Sequence, residues 1–366
     1  MRIAMLNWRY LGHPAGGGAE VLSHEVLKRM VEQGHEVTCF SGAFPGATPE
    51  GELDGIKLVR KGRQWTVHFH AWRWLRTRLD DFDVVIDQIN TIPFLTPWYV
   101  PAEKRWFWIN QMAREFWWRE TRGLFRLLSP FGYFSEPIYL RLYQRTRGIT
   151  ISRSSLDDML ALGVPERLMT VIPMASDVVA LDALEPKTGP PSVLIIGRLT
   201  QAKFVEESIA AFAVIAAAVP DATLSIVGDG DPAYRTALEA LVAELGLEAR
   251  VHFLGRVSHE RKRELLRDSH LHVFASHREG WGLTVTEAGA LGTPSVGYDV
   301  HGVRDSVAVA EQLAPARDAE ALGRAGLALL QDAERYETAR RTAWENARAL
   351  SYDRTAAVFK AAVVGA

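Results

Sequence analysis

Short apolar runs alternate with longer amphipathic stretches along nearly the whole chain. Residues 2–7, 36–41, 84–87, 105–109 and 148–152 read as strands. Residues 20–33 read as a helix that Gly34 stops before His35, Glu36 and Val37. The second half repeats the pattern. Strands are predicted at 192–197, 223–228, 251–254, 271–275 and 294–298, with helices at 205–218, 233–245, 259–268 and 283–291. Alternation of this kind implies parallel sheets covered by helices. The two blocks imply two Rossmann-like domains. Pro186, Pro190 and Pro191 make 173–191 the linker, leaving a first domain at 1–172 and a second at 192–351. A last helix is predicted over 353–364.

Length supports the same division, because 366 residues exceed one ordinary core. The longest apolar stretch, 209–219, ends at Pro220 and is too short to span a bilayer. It reads as a helix buried against a sheet. The N-terminal run enters a polar loop at once, as a first strand does and a signal peptide does not. Cys39 is the one cysteine, which excludes an internal disulfide and fits a reducing compartment.

Charge is uneven. Residues 1–172 hold 22 Lys and Arg against 18 Asp and Glu, whereas the remainder holds 20 against 26. Within 57–147 the counts are 16 and 8, and eight of the eleven tryptophans lie between Trp65 and Trp118. Most of these rings are expected in the core. Trp72, Arg73, Trp74, Arg76 and Arg78, with Phe116, Trp117, Trp118 and Arg119, look interfacial. The 65–126 region therefore suits an anionic membrane surface or a lipid-linked acceptor. The acidic second half argues against nucleic acid.

The candidate chemistry is concentrated in the second half. Arg198 follows Gly197 at a strand end, where ligands of open α/β sheets sit. Arg198 can fork donors onto phosphate oxygens, and Lys203 adds a point charge. Farther on, Glu279, Gly280, Trp281 and Gly282 form a glycine-rich turn. A helix starts near Leu283 and carries Glu287 about one turn in. Its N-terminus offers amides and a positive dipole end to a phosphate. In the first half, Gly16, Gly17 and Gly18 lie between a strand and a helix. Val21 breaks the dinucleotide fingerprint, and the Lys and Ser/Thr of a nucleoside-triphosphate loop are missing.

Two carboxylates separated by seven residues, with Arg198 and Lys203 upstream, resemble the donor site of retaining glycosyltransferases of family 4. The resemblance runs from the Gly16–Gly18 loop to Leu350, Ser351 and Tyr352. It implies an α/β architecture of the GT-B type: two Rossmann-like domains with parallel sheets facing across a cleft. In that type 352–366 rejoins the first, acceptor-side domain, and 192–351 binds the nucleotide sugar. It further implies that Glu279 hydrogen-bonds donor-sugar hydroxyls and that Glu287 holds the ribose. Arg198, Lys203 and the helix amides would stabilise the departing diphosphate without a metal or other cofactor. Gly16, Gly17, Gly18, Gly197, Arg256, Val257, Gly280, Trp281, Gly282 and Leu283 would line the donor.

Asn110 stands where many members have histidine; it can hydrogen-bond the sugar but cannot carry a proton. Asp87, Arg114 and Glu115 are candidate acceptor contacts, although Arg114 and Glu115 could equally pair. Asp229 reads as a turn former. The loop from Asp299 to Asp305 could orient the donor or be structural. The expected activity is sugar transfer from a UDP-sugar, ahead of a GDP-sugar, to a glycan or lipid-linked acceptor. The expected place is the cytoplasm, with peripheral contact on the inner face of a membrane. A sugar-nucleotide epimerase of the same fold, or a non-catalytic donor- or lipid-binding protein, is the alternative.

Overall fold

A computed structural model of the chain describes residues 1–14, 16–114, 117 and 129–365. It divides into two compact units. Unit 1 comprises Met1–Ala175 and Ser351–Ala366, and unit 2 comprises Ser176–Leu350.

Unit 1 is built on β1 (Arg2–Leu6), β2 (Glu36–Ser41), β3 (Glu50–Leu53), β4 (Ile56–Arg60), β5 (Val84–Ile89), β6 (Arg105–Ile109), β7 (Arg147–Thr150) and β8 (Met169–Val171). They form one eight-stranded sheet in the order β3-β4-β2-β1-β5-β6-β7-β8. Every pairing is parallel except the β3–β4 hairpin. The central strands carry apolar residues on both faces because helices cover both. Helices α1 (Gly18–Glu32), α2 (Val67–Leu75), α3 (Ser129–Leu140) and α4 (Arg153–Ala161) belong to this unit. Ser152 caps α4 by accepting from the Ser155 amide at 3.1 Å. One core cluster gathers Ala4, Leu6, Phe40, Ala71, Trp74 and Leu75. Trp74 was expected at an interface. It is 7% exposed because α2 turns it onto β2, against Phe40. Trp106 and Trp108 are likewise buried in the sheet. Trp65 and Phe69 stay 58% and 57% exposed. Phe116, Trp118 and Arg119 lie outside the described residues.

Unit 2 contains β9 (Ser192–Ile196), β10 (Thr223–Val227), β11 (Val251–Gly255), β12 (Leu271–Phe274), β13 (Ser295–Tyr298) and β14 (Leu313–Ala314). The six strands run parallel in the order β11-β10-β9-β12-β13-β14. Its helices are α5 (Val205–Ala218), α6 (Pro232–Glu244), α7 (His259–Asp268), α8 (Leu283–Ala290), α9 (Val303–Ser306), α10 (Ala319–Gln331) and α11 (Ala333–Arg348). The apolar run beginning at Ile209 is the inner part of α5. Ile209, Phe212 and Ile215 are fully buried, each contributing about 1.5–3 kcal/mol of apolar burial. Segment 176–191 lacks regular structure. It is tied down within unit 2, where Arg340 of α11 donates to the Glu185 carbonyl at 2.7 Å. The final helix, α12 (Tyr352–Val363), packs on α1 in unit 1, with Arg29 paired to Asp353 at 2.6 Å.

Candidate active site

In a doubly wound sheet, the chain leaves adjacent strands in opposite directions at one place, and the crevice beyond their carboxyl ends takes ligands. In unit 2 that place is between β9 and β12, which pair directly while β10 lies on the other side of β9. The loop after β9 carries Gly197, Arg198 and Lys203, and the loop after β12 carries Glu279 through Leu283. Topology alone therefore brings the candidate cations and the first carboxylate together. Lys203 and Glu279 form an ion pair, their side chains 25% and 18% exposed. Lys203 Nζ also lies 5.6 Å over the Phe274 ring. Arg198 is exposed, and its side chain has no ion pair among the described residues.

Two glycines set this geometry. Gly228 has φ +137°, and a Cβ there would stand 1.8 Å from the Gly197 carbonyl oxygen. Only glycine lets the two strand ends approach so closely. The Leu199 amide donates to the Asp229 carbonyl at 3.0 Å, and Leu199 bridges to Gly230. The run from Val227 to Gly230 is thus a clamp on the Arg198 loop. Gly302, at φ +76°, clears the other loop: its Cβ would meet the Glu279 carbonyl oxygen at 2.2 Å. The Glu279 amide donates to the His301 carbonyl at 3.0 Å, so part of the 299–305 loop is a brace for Glu279.

Helix α8 begins without a side-chain cap, since Gly282 is its N-cap, leaving its first amides open to a ligand. Gly280 and Gly282 are buried and Leu283 is half-buried, while Trp281 donates from Nε1 to Thr286 Oγ1 at 2.8 Å. Glu287 is 5% exposed and pairs with Lys262 of α7 at 2.6 Å. Burial pushes its carboxyl up, and Lys262 opposes that shift. Lys262 gave no sign in the sequence, being one charge among many on a solvated helix. After β11, Arg256 is exposed and Val257 half-buried.

Unit 1 has its own switch point, between β1 and β5. Here Glu20, fully buried, accepts from the Gly17 amide at 2.6 Å, from Arg9 at 2.7 Å and from Asn90 at 3.0 Å. Asn90 also donates to Asn7 at 3.0 Å. This network holds Gly17 and Gly18 at the start of α1, while the Gly16 amide donates to the His13 carbonyl at 2.8 Å. Glu20 sits three residues after Gly17, the capping-box spacing, and that was the available signal. Asn110 ends β6 half-buried, and its carboxamide oxygen accepts from the Trp108 indole at 2.8 Å. Its NH2 group is left to reach a ligand.

The acceptor contacts fare differently. Asp87 is fully buried and accepts from Phe94, Thr96 and Tyr143. Burial pushes its carboxyl up to about 6, against those donors. With no exposed surface it cannot touch an acceptor; its role is to tie the loop after β5 to the core. Arg114, at φ +36°, is anchored by Glu136, which accepts its amide at 2.7 Å, and its guanidinium lies over the Tyr133 ring. Glu115 lies outside the described residues. No cluster of metal-ligating side chains occurs among the described residues, and no helix there is long and apolar enough to cross a membrane.

A family model described as glycosyl transferases group 1 matches residues 181–347, and one described as Glycosyltransferase Family 4 matches residues 16–178. The chain is 32% identical to a glycogen synthase of Mycobacterium tuberculosis, over 84% of this chain and 80% of that protein. The chain belongs to the family 4 glycosyltransferases. An uncharacterized glycosyltransferase of Methanocaldococcus jannaschii is 26% identical over 84% of this chain and 83% of its own length. Among solved structures, sucrose-phosphate synthase from Thermosynechococcus elongatus superposes with a TM-score of 0.73 at 20% identity, covering 98% of this chain and 97% of that one. Anabaena HepE in complex with UDP gives 0.74 at 19% identity, covering all of both chains. The fold of this family 4 member is GT-B, and the enzyme is a glycosyltransferase that uses sugar donors.

Proposed function

We propose that this glycosyltransferase takes its sugar from UDP-sugar, in preference to GDP-sugar, and transfers it with retention and without a metal. Unit 2 binds the donor and unit 1 takes a glycan or lipid-linked acceptor. The observation that carries the donor assignment is the meeting of Arg198, the Lys203–Glu279 pair and the uncapped α8 N-terminus at the switch point of unit 2. Charge develops on the leaving diphosphate as the sugar acquires oxocarbenium character. Arg198, Lys203 and the first α8 amides are fixed donors for that charge. The leaving phosphate deprotonates the attacking hydroxyl on the same face. Glu279 hydrogen-bonds the donor sugar and carries no proton. Glu287, paired with Lys262, accepts from the vicinal ribose hydroxyls. UDP is favoured because Anabaena HepE was solved with UDP.

Thermal-shift titration with UDP, GDP, ADP and TDP, each with and without Mg²⁺, tests this reading. UDP alone should raise the midpoint, and Mg²⁺ should add nothing. A shift that requires Mg²⁺ would remove the metal-independent mechanism, and no shift with any diphosphate would remove the donor assignment. Peripheral contact with an anionic membrane through 65–126 is part of the proposal, supported by exposed Trp65 and Phe69 beside Arg73 and Arg76. Cosedimentation of wild type and Trp65→Ala/Phe69→Ala with anionic liposomes decides it: equal pelleting would end the membrane reading.

A further inference from the structure

Helix α3 of unit 1 turns an apolar face outward. Phe131, Phe134 and Ile138 are 75%, 66% and 66% exposed. At about 100° per residue, the three fall within about 60° of one another around the helix. A 3₁₀ turn at Arg141–Tyr143 continues α3, and exposed Leu142 extends the row there. The other side of the helix is committed to unit 1. Gly132, Glu136 and Leu140 are buried, and Glu136 accepts the Arg114 amide at 2.7 Å. A surface helix ordinarily sends polar side chains outward. Single exposed apolar residues are common, but a contiguous row marks an interaction surface.

The chemistry around the row selects what covers it. Between Ser129 and Arg147 the one acidic residue is Glu136, which is buried, whereas Arg141, Arg145 and Arg147 are exposed. Arg141 and Arg145 form no ion pair among the described residues. A second copy seated on a two-fold axis would set the row and its arginines against themselves, with no acid between them. An anionic partner is therefore the complementary one. The middle of the face also lacks a free hydrogen-bonding side chain. Ser135 donates to the Gly132 carbonyl at 3.3 Å, and Tyr139 to the Thr91 carbonyl at 2.6 Å. Protein interfaces carry about one hydrogen bond per 100–200 Å², whereas acyl chains require none. An indole completes the pattern. Arg105 donates to the Pro97 carbonyl at 3.3 Å and to Thr146 Oγ1 at 3.0 Å, which brings Trp98, 69% exposed, to the Arg145 end of the row. An exposed indole beside cations suits the headgroup level of a bilayer.

We propose that α3 lies in the surface of an anionic lipid bilayer. Phe131, Phe134, Ile138 and Leu142 enter the acyl boundary, while Arg141 and Arg145 meet lipid phosphates. This face is on a different helix from Trp65 and Phe69, and its binding needs neither of them. Docked in this way, unit 1 stands at the lipid surface, where a lipid-linked acceptor is presented and a soluble glycan is not. That consequence for the acceptor rests on the function proposed above, whereas the docking itself does not.

Flotation of the full chain with two kinds of vesicle tests it: pure phosphatidylcholine, and equimolar phosphatidylcholine and phosphatidylglycerol. Wild type should float with the anionic vesicles and less with the neutral ones. Phe131→Ser/Phe134→Ser should lower partitioning at least about tenfold, because two rings are withdrawn from the acyl boundary. Arg141→Gln/Arg145→Gln should lower it about fivefold per arginine on the anionic vesicles alone. All four side chains are exposed, so circular dichroism should match wild type. If the phenylalanine variant does not fold, Ile138→Ser/Leu142→Ser carries the same expectation. Flotation untouched by the α3 variants would overturn the proposal. If it were lost only in Trp65→Ala/Phe69→Ala, the earlier membrane contact would stand and the α3 face would fall. A chain that does not float, but forms a dimer in sedimentation velocity that Phe131→Ser/Phe134→Ser dissociates, would assign the face to a second copy and overturn the proposal. A monomer that does not float would overturn it too and leave the face to a protein partner. UDP binding is measured on the same preparations, so loss of the α3 face leaves the transferase reading standing.

Discussion

Gly228→Ala should disable donor chemistry without altering any residue proposed to touch the donor. The methyl group would stand 1.8 Å from the Gly197 carbonyl oxygen, where contact needs about 3.2 Å. Both neighbours are backbone, so no side chain can rotate away. The Gly197–Leu199 loop has to retreat by more than about 1 Å, and Arg198 moves with it. Alanine at φ +137° adds about 1–3 kcal/mol of backbone strain. A misplacement of about 1 Å in a charge-stabilising group costs on the order of 10²-fold in rate. Donor hydrolysis, with water as acceptor, measures this before any acceptor is known. The rate for Gly228→Ala should fall by about 10²-fold, while circular dichroism shows both sheets intact. The clamp also predicts non-additivity: in Arg198→Ala/Gly228→Ala the second change should cost little, since both act through one guanidinium. Rates for Gly228→Ala within twofold of wild type, or losses that multiply in the double variant, would refute the clamp.

Arg198→Ala alone should lower turnover by about 10²–10³, the scale for one preorganised donor to a developing charge; unchanged turnover would remove Arg198 from the phosphate site. Asp87 carries a pH prediction. Its folded pKa, about 6, lies above the ordinary carboxylate value, so the folded state binds more protons. Its contribution is greatest at low pH and is lost as pH rises from about 4 to about 6, by at most about 3 kcal/mol. In urea unfolding followed over that window, Asp87→Asn should remove this slope and lower stability by about 1–3 kcal/mol, its NH2 facing the Phe94 and Thr96 donors.

Much of the fold was legible because its central strands are continuous apolar runs and its helices amphipathic. Residues 192–196 and 205–218 are examples, with edges set by Gly197 and Pro220. The β3–β4 hairpin was not legible: Glu50 to Leu53 are all exposed, so no apolar alternation marks the first strand. Helix α3 hid behind Pro137 in its interior. In the site, Arg198, Lys203 and Glu279 stood out through the resemblance to the family 4 pattern, and their closeness follows from adjacent β9 and β12. What spacing could not disclose is pairing across the fold. Lys262 meets Glu287 only because α7 lies against α8. The run from Val227 to Gly230 showed only a turn at Asp229, and its clamping role appears only once β10 is seen beside β9. Asp87 misled for the same reason: a carboxylate at a strand end looks like a ligand until Tyr143 and Thr96 are found around it.

The Lys203–Glu279 pair separates two roles for Glu279. The Lys203 ammonium is paired with the Glu279 carboxylate. An incoming diphosphate carries more negative charge than one carboxylate and should draw Lys203 toward itself. Glu279 is then free to accept from a sugar hydroxyl. Glu279→Gln removes the competitor for Lys203. Free UDP should then bind up to about fivefold tighter, the worth of a partly exposed ion pair. UDP-sugar should instead bind more weakly, because a hydrogen bond to a charged acceptor contributes about 1.5–3 kcal/mol and a neutral amide contributes less. Calorimetric titration of both ligands into wild type and Glu279→Gln reads the two effects separately. Opposite signs would assign Glu279 to the sugar. Parallel losses would mean that Glu279 acts only by holding Lys203 in place, and the sugar contact would pass to the amides of the Gly280–Gly282 turn.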